Sequence, residues 1–432
     1  MKYNFSMENS KYSPRVIDEV IKKYLRTSGG VLIEGPKWCG KTTTAIKFSK
    51  SQLMLGDPDE FARASLLSLG DVKSLLNGTK PRLIDEWQTF PALWDAARFE
   101  IDKSQNFGQY IFTGSAVPNN NQPILHSGTG RFTWIRMRPM SLYESGDSTG
   151  EVSLTDLFNN KPIHGESNLT AKKLAYVTCR GGFPASLRLS QKDALTVPRT
   201  YKNGIIHSDL PRLDGIKRSP EYIASLLRSY ARFQGEQVAL TEIRKDMGSI
   251  TGETPSINTV LSYHDSLKKI FVIEDAPAWN PNLRSKTAIR TSDTRYFVDP
   301  SIAVASLETD PDGLLEDLST FGFIFETLCM RDLRVYADAL DGKISHYRDH
   351  NGLECDAVIH LYGGKYGLIQ FKLGGSPEEI EDAAAKMKNL ANIVDDKKTK
   401  KPSFMMILTG VHRLAYRRED GVYVVPIGCL KP

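Results

Sequence analysis

Cysteine is scarce in this sequence and scattered. The 432 residues hold five, Cys39, Cys179, Cys329, Cys355 and Cys429. None forms a CxxC pair and the count is odd. That excludes a disulfide framework and a zinc ribbon, and points to a reducing compartment. The histidines are equally dispersed. His346 and His350 flank an expected turn rather than sharing a helix, so no zinc site is expected. No run approaches the roughly 20 apolar residues of a membrane span. The opening MKYNFSMENSKY has no signal-type apolar core. A cytoplasmic protein with no membrane partner is therefore expected. Charge of one sign is also scarce. Lys plus Arg number 56 against 51 Asp plus Glu, a net +5, which permits nucleic-acid contact without demanding it. There is no internal repeat and no long low-complexity tract.

What is present is ordinary globular composition over a length that suggests about three domains at about 150 residues each. The first part alternates short apolar runs with helical stretches. Val31-Leu32-Ile33, Arg82-Leu83-Ile84-Asp85 and Tyr110-Ile111-Phe112-Thr113 read as strands, and 42–50 as a helix. This alternation predicts a parallel sheet covered by helices. From about 197 to 306 the pattern changes to helices at 221–233, 241–247 and 256–269, then short strands at 271–273 and 295–298. That order is the outline of a winged helix. From about 314 the order is helix (321–340), strands (356–361 and 366–372), helix (377–390), strands (404–408 and 422–425). The run Asp395–Lys401 reads as a solvated loop. The expected domains are 1–195, 196–310 and 311–432.

The sharpest signal is Gly35-Pro36-Lys37-Trp38-Cys39-Gly40-Lys41-Thr42, followed by Thr43. It fits G-x-x-x-x-G-K-S/T directly after a strand and opening a helix, the context of a P-loop. Backbone amides and the positive helix end would hold the phosphates of ATP. Lys41 would meet the β and γ phosphates, and Thr42 would coordinate Mg²⁺. Asp85 and Glu86 end a second strand. Asp85 would hold Mg²⁺ and Glu86 would polarise the attacking water. Thr113-Gly114-Ser115 ends the strand expected between those two, and there a polar residue would reach the γ-phosphate or the water. The alternative is a plain strand-to-loop turn. Arg131 sits on the glycine-rich 127–131 loop. It reads either as a charge delivered to a neighbour's γ-phosphate or as a surface arginine beside a turn.

Taken in order, GPKWCGKTT, RLIDE, FTGSA and GRF…PMSLYE resemble a prokaryotic AAA+ ATPase family with a C-terminal domain of unknown function. The resemblance runs on through Gly181-Gly182-Phe183-Pro184, Asp299 in YFVDPSIAV, and FIFETL, so it covers nearly the whole chain. It implies that Lys41 and Thr42 bind nucleotide, that Asp85 and Glu86 serve hydrolysis, and that Ser115 (or Thr113) is sensor 1. Arg131 looks like the trans-acting finger, which implies a homo-oligomer, a ring. No sensor 2 is evident beyond Arg180 and Arg188.

Asp356, Gln370 and Lys372 fall on two strands joined by a tight turn. Gln370 and Lys372 share a face because strand side chains alternate. With Glu326 on the preceding helix they resemble a PD-(D/E)XK nuclease core, in which carboxylates bind Mg²⁺. The middle acid is Gln370 here, a neutral and weaker ligand. Two readings stand, an active nuclease and a degenerate domain that binds DNA or docks. In the middle domain Lys268, Lys269 and Arg284 lie on or near a candidate recognition helix, against the alternative of a protein-docking lid. The expectation overall is an α/β chain: an AAA+ P-loop domain with a parallel sheet, a winged-helix domain, then a restriction-endonuclease-like domain. It would be an ATPase coupled to DNA, the rivals being a nucleotide-sensing switch that binds protein partners and an ATP-gated nuclease.

Overall fold

The computed structural model describes residues 12–115, 127–213, 216–280, 292–395 and 401–432. Residues 1–11, His126, Arg284 and most of the charged run at 395–401 lie outside the described residues.

Five strands form a wholly parallel sheet: β1 (Gly30–Glu34), β2 (Ser51–Met54), β3 (Arg82–Asp85), β4 (Tyr110–Gly114) and β5 (Phe132–Arg136). Their order is β2-β3-β4-β1-β5, so β4 does lie between β1 and β3. Alternation along β1 sends Val31 and Ile33 to one face and Leu32 to the other. The first face packs on α1 (Ile17–Leu25) and α2 (Lys41–Phe48) through Ile17, Ile21 and Ala45. The second packs on α3 (Pro58–Asp71) and α4 (Ala92–Ser104) through Ala64, Leu93, Trp94 and Ala97. Near-continuous apolar strands are what a sheet covered on both faces requires. β2 and β5 were not legible as strands. They are the edges, and Gln52 and Trp134 on them stay exposed.

The expected middle helices appear at Pro220–Arg232, Leu240–Thr251 and Ile257–Lys269. The hairpin expected after them is not a ladder. Among the described residues it is two isolated bridges, Ile273 with Phe297 and Ala276 with Thr294. The chain then leaves the hairpin to bridge from Ala278 to His346, drawn by Trp279, which buries its ring 4.9 Å from Tyr366.

A second, mixed sheet of seven strands follows: β8 (Gly342–Arg348), β9 (Glu354–Leu361), β10 (Tyr366–Lys372), β11 (Phe404–Thr409), β12 (Leu414–Arg417) and β13 (Tyr423–Pro426), with β7 (Gly165–Glu166) added at the β12 edge. The long helix Leu318–Ala339 packs on one face through the core that holds Ile359, Ile369 and Phe371. Helix Pro377–Asp395 packs on the other through Ile380, Ala384, Met387 and Leu390. β6 (Val152–Ser153) pairs with β14 (Leu430–Lys431). The segment after the first sheet is thus woven into the end of the chain. All five cysteines are buried and free. No helix among the described residues is long and apolar enough to cross a membrane.

Candidate nucleotide site

β1 ends at Glu34 and the chain turns at Gly35, whose φ is +154°. A Cβ there would stand 2.0 Å from the Met137 carbonyl oxygen, so only glycine fits. Gly40, at φ +101°, caps α2. Between them the 35–40 loop crosses the C-terminal edge of the sheet. Lys41 is buried, and its Nζ donates to the carbonyls of Gly35 (2.9 Å) and Pro36 (2.7 Å). The ammonium is therefore held inside the loop it would share with a triphosphate. Lys37 pairs with Asp209 at 2.6 Å. Trp38 is 53% exposed at φ +64°, its ring 6.2 Å from Tyr201. Cys39 is buried, with Sγ 3.6 Å from the Met137 oxygen.

Three strand ends converge beside this loop. Asp85 Oδ1 accepts from Thr42 Oγ1 at 2.8 Å and from Thr113 Oγ1 at 2.5 Å. Burial pushes the Asp85 carboxyl up, and the two hydroxyls partly offset this by favouring its charge. The Thr42 hydroxyl and a carboxylate stand side by side, the hard-oxygen donor set that Mg²⁺ takes. Glu86 has a left-handed backbone, φ +55°, uncommon for a residue with a side chain. Its amide donates to Thr113 Oγ1 (3.3 Å), and its Oε2 accepts from Ser115 Oγ (3.2 Å) and from Gln88 Nε2. Of the two candidates for the polar residue at this strand end, Thr113 bonds Asp85 and Ser115 bonds Glu86.

Sequence reasoning missed three residues. Arg15 is buried, and its guanidinium donates to Cys39 O (2.8 Å), Arg138 O (2.8 Å) and Glu144 (2.9 Å). It ties the segment before α1 to the loop. Glu144 lies 129 positions from Arg15, so no local pattern could have revealed the pair. Gln88 had only its place two residues beyond Glu86 to mark it. A cavity of about 360 Å³ opens between Tyr12, Ser13 and Arg15, the start of α2 at Gly40 and Thr43, and Pro184, Leu187 and Arg188. Of the two sensor 2 candidates, Arg188 lines this cavity, while Arg180 is taken up by Asp147 at 2.7 Å.

Arg131 is elsewhere. It precedes β5, which runs parallel to β1 with Phe132 opposite Gly30 and Arg136 opposite Glu34. At about 3.3 Å per residue, roughly 13 Å of strand separates its edge of the sheet from the edge that carries the P-loop. There it pairs with Asp102 at 2.6 Å and holds that carboxyl below its usual range.

Glu326, Asp356 and Lys372 do come together, close enough for their charges to act on one another. Burial pushes Asp356 up to about 6 and Glu326 well above its usual range, Asp356's own charge adding to the second. Glu326, Asp356 and Lys372 are half-buried, and some of their polar atoms already have partners. Asp356 Oδ2 accepts from the Phe371 amide (2.7 Å), Gln370 Oε1 accepts from the Asp356 amide (3.3 Å), and Tyr296 OH donates to Glu326 (3.4 Å). Among the described residues no three His, Cys, Asp or Glu are grouped to hold a metal. Lys268 is half-buried and paired with Asp275 at 2.9 Å, and Lys269 is exposed.

A parallel sheet with β4 between the loop strand and the acidic strand, and polar residues at all three ends, is the arrangement of a P-loop nucleotide-binding domain. A family model described as an AAA domain matches residues 28–146. Residues 171–313 match a domain of unknown function (DUF8612), and residues 321–430 match another (DUF4143). No curated protein matches the chain. Among solved structures, a Walker-type ATPase of Pyrococcus abyssi is similar at 13% identity and TM-score 0.41, over 67% of this chain and 94% of that one. A signal transduction ATPase with numerous domains from Pyrococcus horikoshii, with a tetratricopeptide repeat sensor, is similar at 16% identity and TM-score 0.26, over 76% and 54%.

Proposed function

We propose that this chain binds and hydrolyses ATP as an oligomeric AAA+ ATPase, and that nucleotide state governs its middle and C-terminal parts in handling DNA. One observation carries the ATPase reading: the hydrogen-bond chain Thr42–Asp85–Thr113, with Glu86 and Ser115 beside it. The loop amides and Lys41 would bind the phosphates, while the cavity beside Thr43 and Arg188 would take the base and ribose. Thr42 and Asp85 would hold Mg²⁺, which when bound neutralises charge on the phosphate oxygens. Glu86 would accept the proton of the attacking water, Ser115 would orient that carboxylate, and Arg131 would serve a neighbour's site. The five buried free thiols support a cytoplasmic setting.

The test is direct. Wild type should bind and hydrolyse ATP with Mg²⁺, and Lys41→Ala should lose binding. Equal nucleotide affinity in the two would end the reading. For the DNA part, supported by the three middle helices and the positive balance of charge, turnover should rise with DNA and the rise should fade with salt. A second reading, a nucleotide-sensing switch acting on protein partners, is favoured by the surface of α3. Leu66, Leu67 and Leu69 there are 72%, 50% and 87% exposed, more apolar surface than a helix facing only water carries. Turnover indifferent to every DNA and RNA form would favour it.

A further inference from the structure

Gln88 stands where no expectation put a functional residue. It lies in the one-turn helix Trp87–Thr89 that follows Glu86. That turn is fixed by Trp87, buried and stacked on Trp94 with ring centroids 4.8 Å apart. Gln88 Nε2 donates to Glu86 Oε2, the oxygen that Ser115 Oγ also reaches at 3.2 Å. A carboxylate only accepts, so the amide must present its NH₂ to it. The cost falls on the other end, where the Gln88 Oε1 atom is buried without a partner among the described residues. Such an orphan is rare and asks for a reason. Gly114 makes room for it: a Cβ there would stand 2.9 Å from Gln88 Oε1 and 3.0 Å from Trp87 Nε1. The backbone of Glu86 is left-handed as well, the kind of local strain found at working sites.

We infer that Gln88 is the positioning residue for Glu86: with Ser115 it pins Oε2, so that Oε1 is aimed at the attacking water. This rests on the ATPase reading above. In the step it serves, a water oxygen bonds to the γ-phosphorus while the bond from that phosphorus to the bridging oxygen breaks. One water proton passes to Glu86 Oε1, and ADP and phosphate leave. Gln88 gains and loses nothing. It fixes where the proton acceptor sits.

The test compares Gln88→Met, which keeps the volume and removes the donor, with Gln88→Glu. A misplaced catalytic group costs on the order of 100-fold, so Gln88→Met should lower kcat by about 10- to 100-fold, with KM for ATP and nucleotide affinity unchanged. Gln88→Glu sets a second carboxylate beside Glu86. Like charges raise a carboxyl pKa, so the acid limb of its kcat–pH profile should move to higher pH. Glu86→Gln and Lys41→Ala are the controls. Wild-type kcat in Gln88→Met, or a faster one, with an unmoved pH profile in Gln88→Glu beside an inactive Glu86→Gln, would overturn this inference and leave the ATPase reading standing. A wild type without turnover would remove both.

Discussion

Arg331 is the most exposed of the weak points in this fold, energetically speaking, because it is the most deeply buried cation among the described residues. Its side chain and its partners Asp299 and Asp332 are at 1%, 0% and 0% exposure. Nη1 reaches Asp299 at 3.1 Å and Nη2 reaches Asp332 at 2.7 Å. Asp299 also accepts from the Gly182 amide (2.9 Å) and caps helix Pro300–Leu307 through the Ser301 amide (3.0 Å). Asp332 accepts from the Leu142 amide at 2.9 Å. One cation thus ties the chain leaving the first sheet to the long helix. Arg331→Met fills the volume but strands two buried carboxylates. Removing one partner of a buried pair costs about 3–5 kcal/mol. With unfolding entropy near 2.1 cal/mol/K per residue, that is roughly 3–6 °C of melting temperature if the chain unfolds as one unit. The pH dependence is the sharper test. Burial already pushes Asp332 up to about 6, and loss of Arg331, which now holds it down, would raise it further. A carboxyl whose folded pKa lies above its unfolded one binds more protons when folded, so stability falls as pH rises through the folded pKa and returns on acidification. The melting deficit of Arg331→Met should therefore be large at pH 8 and smaller at pH 5. A deficit that is absent, or that does not change with pH, would refute the reasoning.

Gly35→Ala should abolish nucleotide binding while leaving the bulk of the far-ultraviolet dichroism intact, since its Cβ would meet the Met137 carbonyl at 2.0 Å; titration with a fluorescent ATP analogue checks this. Thr113→Val removes a hydrogen bond that favours ionised Asp85, so the Asp85 pKa should rise and the acid limb of Mg²⁺-ATP binding should shift to higher pH. No cleavage of DNA with Mg²⁺ or Mn²⁺ is expected from a cluster whose middle acid is replaced by the neutral Gln370; cutting that Lys372→Ala abolishes would reverse that expectation.

The candidate nucleotide site was legible where its residues are contiguous. Residues 35–42 and 85–86 announce themselves because a loop that wraps a phosphate must be built from neighbours in sequence. The side-chain support was not, because Arg15 meets Glu144, Arg138 and Cys39 only after folding. Long amphipathic helices were legible within a few residues: helix 321–340 is Leu318–Ala339. β8 escaped notice because Gly-Lys-Ile-Ser-His-Tyr-Arg is an edge strand, only partly buried, and reads as polar. The hairpin of the middle part looked like a ladder in sequence. The segment at Ala278 and Trp279 finds better burial against β8, and tertiary packing overrides local propensity there.

If Arg131 lends its charge to a γ-phosphate, one chain alone does not make a complete site. It enters the sheet at the edge where β5 begins, and its own P-loop leaves from the edge where β1 ends. No rotamer spans the strand length between them. If Arg131 acts on a phosphate, the phosphate belongs to another copy, and Asp102 is what holds the guanidinium until that copy arrives. Complementation tests this. Arg131→Ala keeps its P-loop but lacks the charge to lend; Lys41→Ala has no working loop but keeps Arg131. Each alone should be nearly inactive, since an arginine supplied in trans is worth about 10³–10⁵ in kcat in the phosphoryl-transfer enzymes where it has been removed. Mixed, the two variants can form interfaces in which an intact loop meets an intact arginine, and turnover should reappear and grow with total protein concentration. Full activity in Arg131→Ala would show the residue to be a surface arginine, and a mixture as dead as its parts would show that no copy reaches another's site.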